Sequence, residues 1–148
     1  GPIIEIRKEI LKQSTVAIGT VPIYQAAVET VEQGRSIVQM DPDLLFRVIE
    51  EQCAEGVDFI TVHCGVTRES VERLRTQGRI MDVVSRGGAF HLEWIVVNDA
   101  ENPLYAQYDR LVEIAKKYGS VESGSFVNGI LDSAARMTGK LDERHVED

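Results

Sequence analysis

The stretch that decides the fold is MDVVSRGGAFHLEW, residues 81–94. Together with Ile80 its first residues form an apolar run, rich in β-branched side chains, with the length of a buried strand. The run stops abruptly at Ser85-Arg86-Gly87-Gly88, and a helical pattern follows. Strand, polar glycine loop and helix is an arrangement in which α/β proteins build anion sites. The paired glycines free backbone N–H groups to face a ligand, Ser85 adds a hydroxyl, and the Arg86 guanidinium is a planar fork suited to phosphate. A small phosphorylated ligand is the expectation. An ordinary turn with a solvent-facing arginine is the alternative, since the tetrapeptide matches neither standard nucleotide fingerprint.

Working outward, the same alternation recurs. Upstream, VDFITV (residues 57–62) reads as a strand that delivers His63-Cys64-Gly65 to its end, and Thr67 to Ser70 carry the residues of a helix-capping arrangement before Gly78. Asp41-Pro42-Asp43 starts an earlier helix, with Leu44, Leu45, Val48, Ile49 and Cys53 on its buried face and Gly56 at its C′ position. The segment 16–26 is β-rich, but Pro22 ends the strand near Thr20, so Val21 to Tyr24 form an exit loop. Tyr24 there offers a ring and a hydroxyl to a ligand, or caps the core. At the N-terminus Ile3, Ile6, Ile10 and Leu11 fall at helical spacing. Downstream, residues 90–97 pack a helix over the sheet, and Asn102-Pro103 opens a helix running to Tyr118-Gly119. Residues 120–148 show a weak strand and helix and a charged end with the character of a disordered tail. The fold class is therefore α/β with parallel strands, part of a (β/α) barrel or a doubly wound sheet.

Composition narrows the function classes. The 148 residues, 43% hydrophobic, can bury one core, and the net charge of −8 offers no basic face for nucleic acid. Without a long apolar run or a leader pattern, a soluble cytoplasmic protein with no membrane partner is expected. Cys53 and Cys64 form no CxxC and read as reduced packing residues; no metal ligand set is evident.

Four segments taken together are more specific than any one: GTVPIYQA (19–26), TVHCGV (61–66), VSRGGAF (84–90) and ENPLY (101–105). In this order and spacing the chain strongly resembles the phosphomethylpyrimidine synthase family of thiamine biosynthesis. Its members are non-canonical radical S-adenosylmethionine (SAM) enzymes that rearrange aminoimidazole ribonucleotide into hydroxymethylpyrimidine phosphate. The 5-hydroxybenzimidazole synthase of anaerobic cobamide biosynthesis shares these motifs and stays open as an alternative. The resemblance covers residues 5–119, giving a partial barrel over 1–119 and a divergent tail over 120–148.

The resemblance implies a partial (β/α)8 TIM-type barrel with a ribonucleotide bound at its C-terminal face, and Tyr24, His63, Ser85, Arg86 and Gly87 as the substrate-binding residues. It also implies a 4Fe-4S cluster, SAM and zinc, whose CxxCxxxxC motif and ligand histidines the chain does not contain. Where the family continues with an Asp and an Arg after Tyr118, this chain places Ser125 and Asn128. A central barrel fragment of a carbon–carbon lyase, inactive alone, is the expectation. A truncated or degenerate copy, a foreign tail, or a non-catalytic remnant that binds a phosphorylated ligand would account for the same departures. Half a barrel leaves strand edges open, so self-association is expected as well.

Overall fold

The computed structural model describes residues 2–77 and 85–120. The strand expected over 80–84, the end of the preceding helix at Gly78, and the tail with Ser125 and Asn128 lie outside the described residues. The chain divides into two compact units, Gly1–Tyr108 and Asp109–Asp148. In the second, the last helix of the described residues, which begins at Tyr108, continues to Tyr118.

The elements of the first unit are α1 (Ile3–Gln13), β1 (Gly19–Thr20), α2 (Ile23–Glu32), a 3-10 turn (Ile37–Gln39), α3 (Pro42–Ala54), β2 (Phe59–Ile60), α4 (Arg68–Gln77), α5 (Arg86–Asn98) and α6 (Pro103–Ala106); α7 is Tyr108–Tyr118. β1 and β2 are parallel, with Gly19 opposite Phe59 and Thr20 opposite Ile60. The ladder is shorter than the β-rich sequence suggests. It is extended only by Asp58 N–H to the Ile18 carbonyl and Thr61 N–H to the Thr20 carbonyl, both 2.9 Å. Gly19 leaves room for the Phe59 ring, since a Cβ there would lie 2.0 Å from it and would displace it. Parallel pairing with helical crossovers is thus present, while closure into a barrel is not seen among the described residues.

α3 forms where its local signals put it. The Asp41 carboxylate accepts the Asp43 N–H at 2.9 Å, Pro42 takes the first turn, and Gly56 adopts φ +88° just past the end. Its buried face holds Leu44, Leu45, Phe46, Val48, Ile49 and Gln52, with Cys53 only partly covered. α3 packs on α2, and α5 packs on the 3-10 turn. There the Trp94 indole N–H donates to the Met40 carbonyl at 3.0 Å and the Asn98 amide donates to the Val38 carbonyl at 2.8 Å.

Three expectations need correction. Tyr24 is not in an exit loop: Pro22 caps α2, whose first turn carries Tyr24. The Ser85–Gly88 segment is not a loop either, because the Ser85 hydroxyl accepts the Gly88 N–H at 3.3 Å and so caps a helix beginning at Arg86. In α1 the isoleucine stripe is not the packed face. Ile6 and Ile10 are 55% and 47% exposed, whereas Arg7 is buried. It donates to the Glu55 carboxylate and to the Gln25 side-chain oxygen, both at 2.6 Å, and the Gln52 amide donates to that same oxygen at 2.8 Å. A long-range polar network therefore docks α1, which a hydrophobic period cannot foretell. Among the described residues no helix is long and apolar enough to cross a membrane.

Candidate functional site

The residues singled out from sequence gather at the start of α5. β2 ends at Ile60, and the three residues that follow carry His63 to Ser85, where His63 Nε2 and the Ser85 hydroxyl share a hydrogen bond of 2.8 Å. The edge of the His63 ring rests on Gly87. A Cβ at Gly87 would lie 2.4 Å from His63 Cε1 and 3.0 Å from each ring nitrogen, so a larger residue would push the imidazole out of this position. This contact, as much as any ligand, accounts for the glycine. Tyr24, from the first turn of α2, meets the same helix through an edge-to-face contact with Phe90, ring centroids 6.1 Å apart. Arg86 is the first residue of α5 and is exposed.

The electrostatics are those of a half-buried imidazole beside an exposed cation. The opening N–H groups of α5 have no intrahelical acceptors, and the helix dipole adds positive character at the same end. Burial pushes the His63 pKa below the ordinary imidazole value, which favours the neutral ring, able to donate from one nitrogen and accept at the other. Cys64 beside it is buried, and its thiol is pushed up to about 11, so it is an inert packing group.

Two residues here were not read as site residues from sequence. Asn102 is completely buried, and its side-chain amide donates to the carbonyls of His63 and Val66, each at 2.8 Å, while its oxygen accepts the Leu104 N–H at 3.0 Å. The motif ENPLY contained it, but only its capping role was legible there. His91 lies one helical turn beyond Gly87, 1% exposed, its ring centroid 5.9 Å from that of His63. A histidine within an apolar helical pattern carries no sequence signal for that placement.

The residues present do not fit an iron–sulfur cluster. The chain has two cysteines, and in α3 and after β2 they are a partly covered and a buried thiol, both with pKa values raised by burial. Among the described residues no group of three or more His, Cys, Asp or Glu could hold a metal ion. A hydroxyl, an exposed guanidinium and the N–H groups of a helix start meet at the α5 terminus, an arrangement whose chemistry suits recognition of an anion.

Comparison with known proteins bears on the same residues. The model of the family described as "Radical SAM ThiC family" matches residues 1–131, which runs past Gly119, where the motif resemblance stops. The chain is 58% identical over 118 residues to the phosphomethylpyrimidine synthase of Caldanaerobacter subterraneus subsp. tengcongensis, covering 80% of this chain and 27% of that protein. It is 58% identical over 123 residues to the phosphomethylpyrimidine synthase of Syntrophus aciditrophicus, covering 83% and 29%. With that of Moorella thermoacetica it shares 58% identity over 118 residues, covering 80% and 27%. The chain thus spans somewhat over a quarter of the length of the curated relatives it matches.

Proposed function

The chain belongs to the radical SAM ThiC family, and we propose that it supplies ribonucleotide-binding residues of a phosphomethylpyrimidine synthase. The reaction is the SAM-dependent rearrangement of aminoimidazole ribonucleotide to the phosphorylated pyrimidine of thiamine, a lyase chemistry. In this reading the Ser85 hydroxyl, the Arg86 guanidinium and the N–H groups at Arg86 and Gly87 take the phosphate. His63 and Tyr24 hold the ribose and base. An iron–sulfur cluster and SAM held by other parts of such an enzyme would supply the radical chemistry. Since the two thiols of this chain do not fit the cluster, no step through it is assigned to these residues, whose work is to bind and orient.

The single observation that carries the reading is convergence. Tyr24, His63, Ser85 and Gly87 come from three separated segments, yet each touches the first turns of α5 or belongs to them. One consequence concerns Ser85: its oxygen already serves the Gly88 N–H and His63, so an incoming phosphate competes with the imidazole for the hydroxyl.

Calorimetric titration of aminoimidazole ribonucleotide tests the proposal. A charge-assisted bond to phosphate contributes roughly 1.5–3 kcal/mol, so Arg86→Ala weakens binding about tenfold or more. Arg86→Lys recovers only part of the loss, because a point charge does not reproduce the planar fork. Equal affinity in all three proteins would reduce the α5 terminus to an ordinary helix start.

A further inference from the structure

His63 is held on several sides. Ser85 bonds its Nε2 at 2.8 Å, Gly87 receives its Cε1 edge, and its own carbonyl is bound by the Asn102 amide at 2.8 Å. His91 faces it as well. Gly87 and His91 are four residues apart on α5 and so lie on one face of the helix. Side chains in a helix lean toward its N-terminus, which brings the His91 ring toward the imidazole parked on Gly87. The two rings are tilted by 40° with centroids 5.9 Å apart, and His91 is only 1% exposed.

A buried histidine ordinarily keeps its place through a hydrogen bond, because an unpaired buried polar nitrogen costs free energy. Neither ring nitrogen of His91 has a partner among the described residues, and neither has His63 Nδ1. What His91 gives its neighbour is therefore a flat, rigid surface in a dry pocket.

We propose that His91 is a positioning residue for His63: sealed in the second turn of α5, its ring is a wall that keeps the His63 imidazole seated against Ser85 and Gly87 and keeps water from its buried edge. This deepens the reading of His63 and Ser85 as ligand-facing groups and rests on it. His91 itself touches no ligand. Its role is to fix one ring orientation before a ligand arrives, which lowers the ordering cost of binding.

Because the contribution is shape, phenylalanine substitutes for it and a small side chain does not. The test is NMR of the ring nitrogens and the Cε1 proton of His63 in the full chain, in the unmodified protein, His91→Phe and His91→Ala, followed by ribonucleotide titration. In the unmodified protein and His91→Phe, His63 shows one tautomer and a titration midpoint below that of an unstructured histidine. In His91→Ala, water reaches the ring, tautomers average, and the midpoint rises by about half a pH unit or more as desolvation is relieved. Ribonucleotide affinity falls several-fold in His91→Ala and is kept in His91→Phe. If His91→Ala does not fold, His91→Val stands in its place with the same direction of change.

A single tautomer and a low midpoint in the small variant, or their loss in His91→Phe, would overturn the proposal. The two readings fail separately. Absence of ribonucleotide binding in the unmodified protein defeats the proposed function, whereas the tautomer and the midpoint report on His91 with no ligand present.

Discussion

At the scale of single residues, the site combines groups the sequence announces with one it hides. Ser85, Arg86 and Gly87 stand out in the sequence because serine, arginine and glycine side by side suit an anion. What a larger residue at Gly87 would displace does not, since that depends on His63, which is remote in sequence. His91 was silent for the same cause, and its burial has a measurable consequence. Burial, reinforced by the nearby His63, depresses its pKa from 6.5 to about 4. Below the ordinary value the unfolded chain takes up a proton that the folded chain refuses, so stability is complete above about pH 6.5 and is lost as pH falls toward 4. His91→Phe removes this penalty. Between about pH 7 and about pH 5, urea unfolding of the unmodified chain loses on the order of 2 kcal/mol more stability than that of the variant. Equal losses would mean that His91 is protonated or solvated in the native state.

Among elements, legibility followed the range of the determining contacts. α3 was read with its start and finish because its signals, Asp41, Pro42 and Gly56, act within a turn of the places they mark. α1 was read on its hydrophobic period and packed on Arg7, since its partners Gln25 and Glu55 belong to α2 and the turn after α3. One helix was expected from Asn102 to Tyr118, but the backbone of Gln107 leaves helical geometry and divides it into α6 and α7. Asn102 also ties the start of α6 to the segment leaving β2, and that dual role can be separated. Asn102→Ala leaves two carbonyls and one N–H without their buried partner and costs about 3 kcal/mol. If capping were its whole task, aspartate would restore stability, being an equally good N-cap. A carboxylate cannot donate to the carbonyls of His63 and Val66, so Asn102→Asp is expected to be at least as destabilised as Asn102→Ala in urea melts. Rescue by aspartate would contradict the clamp.

For the molecule as a whole, β1 and β2 are the only strands among the described residues, and Phe59 on β2 is 58% exposed. Val96 and Val97 on α5, 40% and 60% exposed, border an open groove with Val71 and Leu74 of α4. Unpaired strand edges and bare apolar faces are ordinarily covered in folded proteins. The relatives, of which this chain matches 27–29%, have further chain with which to cover them. The α/β class was legible from alternating elements; barrel closure was not, because it depends on strands beyond the pair described. In the proposed function, segments distant in sequence form one ribonucleotide site at the α5 terminus. This is tested most directly by following backbone amides by NMR during titration with aminoimidazole ribonucleotide, and in parallel with the nucleoside lacking its phosphate. The amides of Tyr24, His63, Ser85, Gly87 and Gly88 are expected to shift together along one saturation curve, with those of Ser85 to Gly88 responding far less to the nucleoside. Shifts scattered over the surface, or confined elsewhere and equal for both ligands, would contradict the proposed function.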